Sequence, residues 1–182
     1  MSMTTKPLRL TINAEDVGPM DVPEDLMMID FLHEYVNLTG SRLGCGIGQC
    51  RACTIIVDDP SGTSTELQTC ITPAHFFAGK RIRTVEGHAT RAADGTITKL
   101  TPIQEKFLEH YSFQCSYCTP GMINGATVLL ERLQRDPVPE DQIDQVIEDA
   151  MNSHLCRCTG YVRYYTAIKE VVLSTPGLTR PA

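Results

Sequence analysis

Residues Gly44–Cys53 read GCGIGQCRAC and hold three of the chain's eight cysteines within ten positions. Cys45, Cys50 and Cys53 follow the spacing C-x4-C-x2-C, and Cys70 lies further along. A loop this short brings three thiols to one small body only if it curls tightly. Gly44, Gly46 and Gly48 allow that, through positive φ or close backbone approach. The N–H groups of such a loop can turn inward as an anion-binding nest. Three cysteines at this spacing, with a fourth supplied from a distance, match a [2Fe–2S] cluster: each of its two sulfide-bridged irons needs two thiolates.

At 182 residues the chain has room for one domain or two small ones. Hydrophobic residues make up 42% and charged residues 21%, as in an ordinary globular protein. A net charge of −6 argues against a nucleic-acid backbone as partner, and the absence of Trp argues against base stacking. No apolar run reaches the length of a membrane span. The start, Met1–Lys6, is polar and no signal-peptide core follows it. The expectation is a cytoplasmic protein, or a periplasmic one exported with a signal-bearing partner. Eight cysteines in that setting point to metal rather than disulfides.

Around the loop, the first half alternates like a sheet. Leu8, Leu10 and Ile12 predict a strand, Asp16–Pro19 a turn, and Met20–Val22 the returning arm. Asp25 is the expected N-cap of a helix over Leu26–Val36. Thr54–Val57, Thr65–Thr69 and Arg81–Val85 read as strands, with a short helical piece at Pro73–Ala78. Gly87–Thr101 carries no apolar period and reads as an exposed connector. From Pro102 the period becomes helical: one helix capped by Thr101, one from Thr119 to Arg135, one over Asp141–Met151 and one over Val162–Leu173. Pro176–Ala182 is expected to be a loose tail. The fold class is therefore α+β, with a mixed sheet before a four-helix bundle.

A second cysteine set sits in the helical half. Cys115 and Cys118 are spaced C-x2-C, and Cys156 and Cys158 are spaced C-x-C. Two predicted helices and their turn lie between the pairs, and an antiparallel helical pair brings its ends together. Each pair precedes a helix start, and helix N-termini favour anionic groups through partial positive charge and free N–H groups. A zinc site with four cysteine ligands is the alternative for this set. His33, His75, His88 and His110 show no ligand spacing and read as surface or packing residues.

Taken together, GCGIGQC-x-AC, QC-x-YCTPGM and LCRCTGY closely resemble the iron–sulfur subunit of the molybdenum hydroxylases, the xanthine dehydrogenase and aldehyde oxidoreductase family. The resemblance runs from about Leu8 to Val172. It implies a plant-type ferredoxin-like (β-grasp) domain over residues 1–86, a connector over 87–101, a four-helix domain over 102–175 and a tail over 176–182. Each domain would hold one [2Fe–2S] cluster: the outer on Cys45, Cys50, Cys53 and Cys70, the inner on Cys115, Cys118, Cys156 and Cys158. A separate large subunit would carry the molybdenum–pterin cofactor and the substrate, with Gln114 and Cys158 as the pterin contacts. Electrons would pass through the inner and then the outer cluster to a flavin, a cytochrome or another acceptor. No catalytic residue is expected in this chain.

Three positions depart from the family pattern, which has Gly at Arg51, Gly at Ser116 and Asn at His154. Arg51 places a cation in the first loop, expected to face solvent or a partner; turned toward a cluster it would raise the potential. Ser116 offers a hydroxyl to a cluster sulfur, and His154 reads as a surface substitution. The competing functions are a free-standing ferredoxin-like carrier and a zinc-stabilised adaptor.

Overall fold

The computed structural model describes residues 4–181. Met1–Met3 of the polar start and Ala182 of the tail lie outside the described residues. A five-stranded mixed sheet, in the order Glu15–Pro23, Thr5–Ile12, Arg81–Arg83, Thr54–Asp58, Ser64–Gln68, is followed by the helices that pack on it. The α+β expectation holds.

β1 (Thr5–Ile12) and β2 (Glu15–Pro23) form an antiparallel hairpin, with Ile12 opposite Glu15. Its turn is Asn13–Ala14, both at positive φ, not Asp16–Pro19 as the turn residues suggested. Gly18 and Pro19 instead lie inside β2, where the register slips opposite Leu8–Leu10. A Cβ on Gly18 would come 2.2 Å from the Leu8 carbonyl, so this glycine serves an irregularity within the strand rather than a reversal. β3 (Thr54–Asp58) leaves Cys53 directly, and β4 (Ser64–Gln68) returns to Cys70. β5 (Arg81–Arg83) lies between β3, antiparallel to it, and β1, parallel to it.

The first helix is shorter than its apolar period implies. α1 (Met28–Asp30) passes into a π-helical turn at Phe31–Tyr35 and is preceded by Met27, without a side-chain cap. Leu26 and Met28 are committed elsewhere: the Leu26 carbonyl accepts from Ala74 N at 2.8 Å, and Met28 N donates to Thr72 at 2.9 Å. Pairing with this segment displaces the first turn expected at Asp25.

The connector is exposed but not structureless. β6 (Thr90–Arg91) and β7 (Ile97–Lys99) form a small hairpin around Asp94–Gly95, an Asp-Gly hairpin signal that the connector reading passed over. α2 (Pro102–Glu109) starts with the expected Thr101 cap, completed by Gln104 as a capping box. α3 (Thr119–Arg135), α4 (Ile143–Met151) and α5 (Val162–Ser174) enclose a second core with α2. Phe107 and Tyr164 meet there edge to face at 4.9 Å, both fully buried. The tail is tied down rather than loose. β9 (Thr179–Arg180) pairs in parallel with β8 (Val138–Pro139), and Leu178 is buried in the helical core.

Two polar contacts fasten α3 to the sheet. Asn124, fully buried, donates from Nδ2 to the Thr54 carbonyl at 2.6 Å, and its Oδ1 lies 2.6 Å from His88 Nε2. Arg83 on β5 grips Asp58 at 2.7 Å and Glu131 on α3 at 2.7 Å. Burial raises the proton affinity of Glu131, but Arg83 outweighs it and holds the carboxyl below its usual range. Replacing Arg83 with Met leaves two half-buried carboxylates facing each other, and should lower stability by about 2 kcal/mol, read as an earlier urea midpoint. Because the Glu131 pKa is lowered on folding, its share of stability is present above the unfolded carboxylate pKa and is lost as pH falls through the folded one. The gap between parent and Arg83→Met should therefore narrow in acid.

Candidate metal centres

The first loop is built by backbone conformations that side chains resist. Gly46 and Gly48 take φ of 69° and 74°. A Cβ on Gly44 would stand 2.8 Å from Cys50 Sγ, so only glycine leaves that space to the thiol. The curl turns N–H groups onto sulfur: Ile47, Gln49 and Cys50 N all donate to Cys45 Sγ, at 3.3–3.5 Å. Led by the Cys50 and Ile47 N–H groups, these bonds hold the Cys45 thiol down to about 6. Cys53 and Cys70 are buried at the end of the β3–β4 hairpin, packed on Ile29, and burial pushes Cys70 up to about 11.

The second set is brought together in pairs. Cys118 immediately precedes α3, and Cys156 and Cys158 lie on the loop between α4 and α5. Cys158 Sγ is 3.4 Å from Cys115 Sγ, both exposed. Cys156 is buried and is hydrogen-bonded to Thr159 Oγ1 at 3.1 Å; burial raises its proton affinity, but Thr159 outweighs this and lowers it. Burial pushes Cys118 to about 12, beside the Tyr164 hydroxyl at 3.6 Å.

The eight thiols fall into neighbouring pairs: Cys45 with Cys50, Cys53 with Cys70, Cys115 with Cys158 and Cys118 with Cys156. Cys45, Cys115 and Cys156 are shifted toward the thiolate, and their mates Cys50, Cys158 and Cys118 away from it. Ionising one of two adjacent thiols hinders ionisation of the other, and a cation between them removes that conflict. Among the described residues, no three Cys, His, Asp or Glu side chains surround a single ion position, and the thiols stand in pairs. Two thiols for each of two irons, twice over, is the demand of two [2Fe–2S] clusters. The donor set fits it.

The two sets are neighbours. Leu155 N, beside Cys156, donates to the Cys50 carbonyl at 3.1 Å, and the Tyr117 hydroxyl donates to the Leu43 carbonyl at 2.7 Å. A cleft lined by Gly44, Cys45, Cys50, Cys115, Tyr117 and Cys156 runs between them. Gln114 is exposed and donates from Nε2 to the Cys158 carbonyl at 3.2 Å, so the two expected pterin contacts lie side by side. The other four histidines are hydrogen-bonded packing residues: His33 on Ser41, His75 on Val22, His88 on Asn124 and His110 on Glu170.

Each of the three departures makes a definite contact, and one of them overturns its expectation. Arg51 is a third exposed, and its Nη1 is paired with Glu66 at 3.2 Å. His154 is 1% exposed, a core residue lying 2.8 Å from Glu66, and not a surface substitution. Ser116 donates to the Cys115 carbonyl at 2.7 Å. Arg51 and Ser116 have φ of 56° and 58°, which explains why glycine suits both positions. Sequence reading missed Glu66 and Tyr117, since nothing in spacing marks a carboxylate or a phenol that acts across the fold.

A family described as the 2Fe-2S iron-sulfur cluster binding domain matches residues 14–80, and one described as the [2Fe-2S] binding domain matches residues 84–169. The nicotine 6-hydroxylase small subunit of Paenarthrobacter nicotinovorans is 41% identical over 150 residues, covering 82% of this chain and 78% of that one. Aldehyde oxidase 1 of Rattus norvegicus is 36% identical over 155 residues, or 82% of this chain, but this chain spans only 11% of that protein's length. The solved quinoline 2-oxidoreductase of Pseudomonas putida 86 superposes with a TM-score of 0.77 at 32% identity, over 97% of this chain and 94% of that one. With two cluster-binding regions matched in tandem, this chain belongs to the two-cluster [2Fe–2S] small subunits of the molybdenum hydroxylases.

Proposed function

We propose that this chain carries electrons for a molybdenum-dependent hydroxylase whose substrate site lies on a separate large subunit. In this reading Cys45, Cys50, Cys53 and Cys70 hold the outer cluster, and Cys115, Cys118, Cys156 and Cys158 the inner one. The pairing of the eight thiols is the observation that carries it. The clusters supply one-electron carriage when bound. The chain's own residues would do the rest. Amides on Cys45 and the Thr159 hydroxyl on Cys156 stabilise negative charge on sulfur, and the buried packing of Cys53 and Cys70 keeps water away.

Gln114 and Cys158 would face the pterin cofactor of the large subunit. Support comes from their common exposed surface, flanked by Tyr111 at 74% exposure and Val162 at 69%, which Arg163 links by donating to the Tyr111 carbonyl. Exposed apolar side chains beside polar hydrogen-bonding groups suit a protein partner. The acceptor would be a flavin or cytochrome subunit, reached from the side of the first loop, where Ile47 and Ile71 are exposed.

The domain reading is a ferredoxin-like β-grasp unit over residues 1–86, a connector over 87–101 and a four-helix unit over 102–175. Two separate hydrophobic cores and the junction between the family matches support it. No helix among the described residues is long and apolar enough to cross a membrane, and the proposed location is the cytoplasm.

Purified holoprotein should contain about four irons per chain, and reduction should give two distinct [2Fe–2S] signals by electron paramagnetic resonance. A single species, or zinc in place of iron, would contradict the assignment. Gly44→Ala, whose methyl invades the space of Cys50 Sγ, should abolish one signal, keep the other and halve the iron. Affinity isolation from the native cell should recover a large molybdenum-containing chain; recovery of this chain alone with both clusters would favour the free-standing carrier.

A further inference from the structure

Three side chains from distant segments meet at one carboxylate. Arg51 stands inside the first cysteine loop, Glu66 on β4, and His154 two residues before Cys156. Glu66 Oε2 accepts from Arg51 Nη1 at 3.2 Å and lies 2.8 Å from His154 Nε2. His154 is buried at 1% exposed and Glu66 nearly so at 15%, while Arg51 reaches the surface at 32%. α3 leaves room for the imidazole, since a Cβ on Gly125 would stand 2.6 Å from His154 Nε2. Burial raises the proton affinity of Glu66, but His154 and Arg51 outweigh it and hold the carboxyl below its usual range, so it is ionised at neutral pH.

A guanidinium one residue from Cys50 would, if unpaired, favour the more negative reduced form of a cluster bound there and raise its potential. Arginine cannot shed its charge, so the remedy is a partner that supplies the opposite one. Glu66 is that partner, and it is held by the imidazole of the second loop. We propose that Glu66 is a charge-balancing residue of the first cysteine site: by pairing with Arg51 it keeps the loop's cation from pulling that site's reduction potential upward. This rests on the assignment of a cluster to Cys45, Cys50, Cys53 and Cys70.

The test is a potentiometric titration of the native complex, following both electron paramagnetic resonance signals in Glu66→Gln, Arg51→Gln and the double variant. The signal that Gly44→Ala abolishes should move to higher potential in Glu66→Gln, to lower potential in Arg51→Gln, and back near the parent value in the double. No movement in either single variant, or movement of both in the same direction as a structural perturbation would produce, overturns the inference. If Glu66→Gln does not retain iron, the sign of the Arg51→Gln shift decides. Loss of iron from all three variants would assign the group to folding and overturn the charge-balancing role. A parent protein without [2Fe–2S] signals would overturn the underlying assignment instead.

Discussion

The hydrogen bond from Leu155 N to the Cys50 carbonyl is a contact on which much of the structure turns. It joins loops that are remote in sequence, and each partner is a cysteine or the residue before one. Holding it requires α3 to approach the first loop more closely than any side chain permits. A Cβ on Gly121 would stand 2.1 Å from the Arg51 carbonyl, so the helix meets the loop backbone to backbone. Such an approach is stable only if the flanking surfaces are locked as well.

That locking is done by polar groups placed where packing alone would leave the register free. Asn124 reads the Thr54 carbonyl, the first residue beyond Cys53, and Arg83 joins β3, β5 and α3 through two carboxylates. Tyr117 spans from the second cysteine set to Leu43 at the entrance of the first. The Asn124 bond satisfies an amide that burial would otherwise penalise, and all of these bonds are directional, so together they specify one arrangement of the sheet against the helices. The Arg51–Glu66–His154 group belongs to the same seam. It uses two residues at positions where the family pattern has others, joined through a carboxylate on the edge strand β4.

Much of this was legible without coordinates, because the signals are local. Alternation marks β1, the Thr101–Gln104 box marks the start of α2, and the cysteine spacings mark both thiol sets. The misreadings share a cause: a nonlocal partner overrode a local preference. Asp16–Pro19 has turn residues, but pairing with β1 draws them into the strand. Asp25 is a good cap, but Leu26 and Met28 are spent on the Thr72–Ala74 segment. Pro176–Arg180 looks unstructured until Leu178 finds the helical core.

By itself, the sequence determined the number of thiols, their grouping into two sets of four, and the α+β class, since spacing and periodicity survive in one dimension. Only the tertiary structure decided which thiols are neighbours, that Gln114 reaches the Cys158 carbonyl, and that Arg51 and His154 share Glu66. Most of these are distances between segments well separated in the chain. They are set by the close approach at Gly121 and Gly125 and by the burial that makes an unpaired charge too costly to leave.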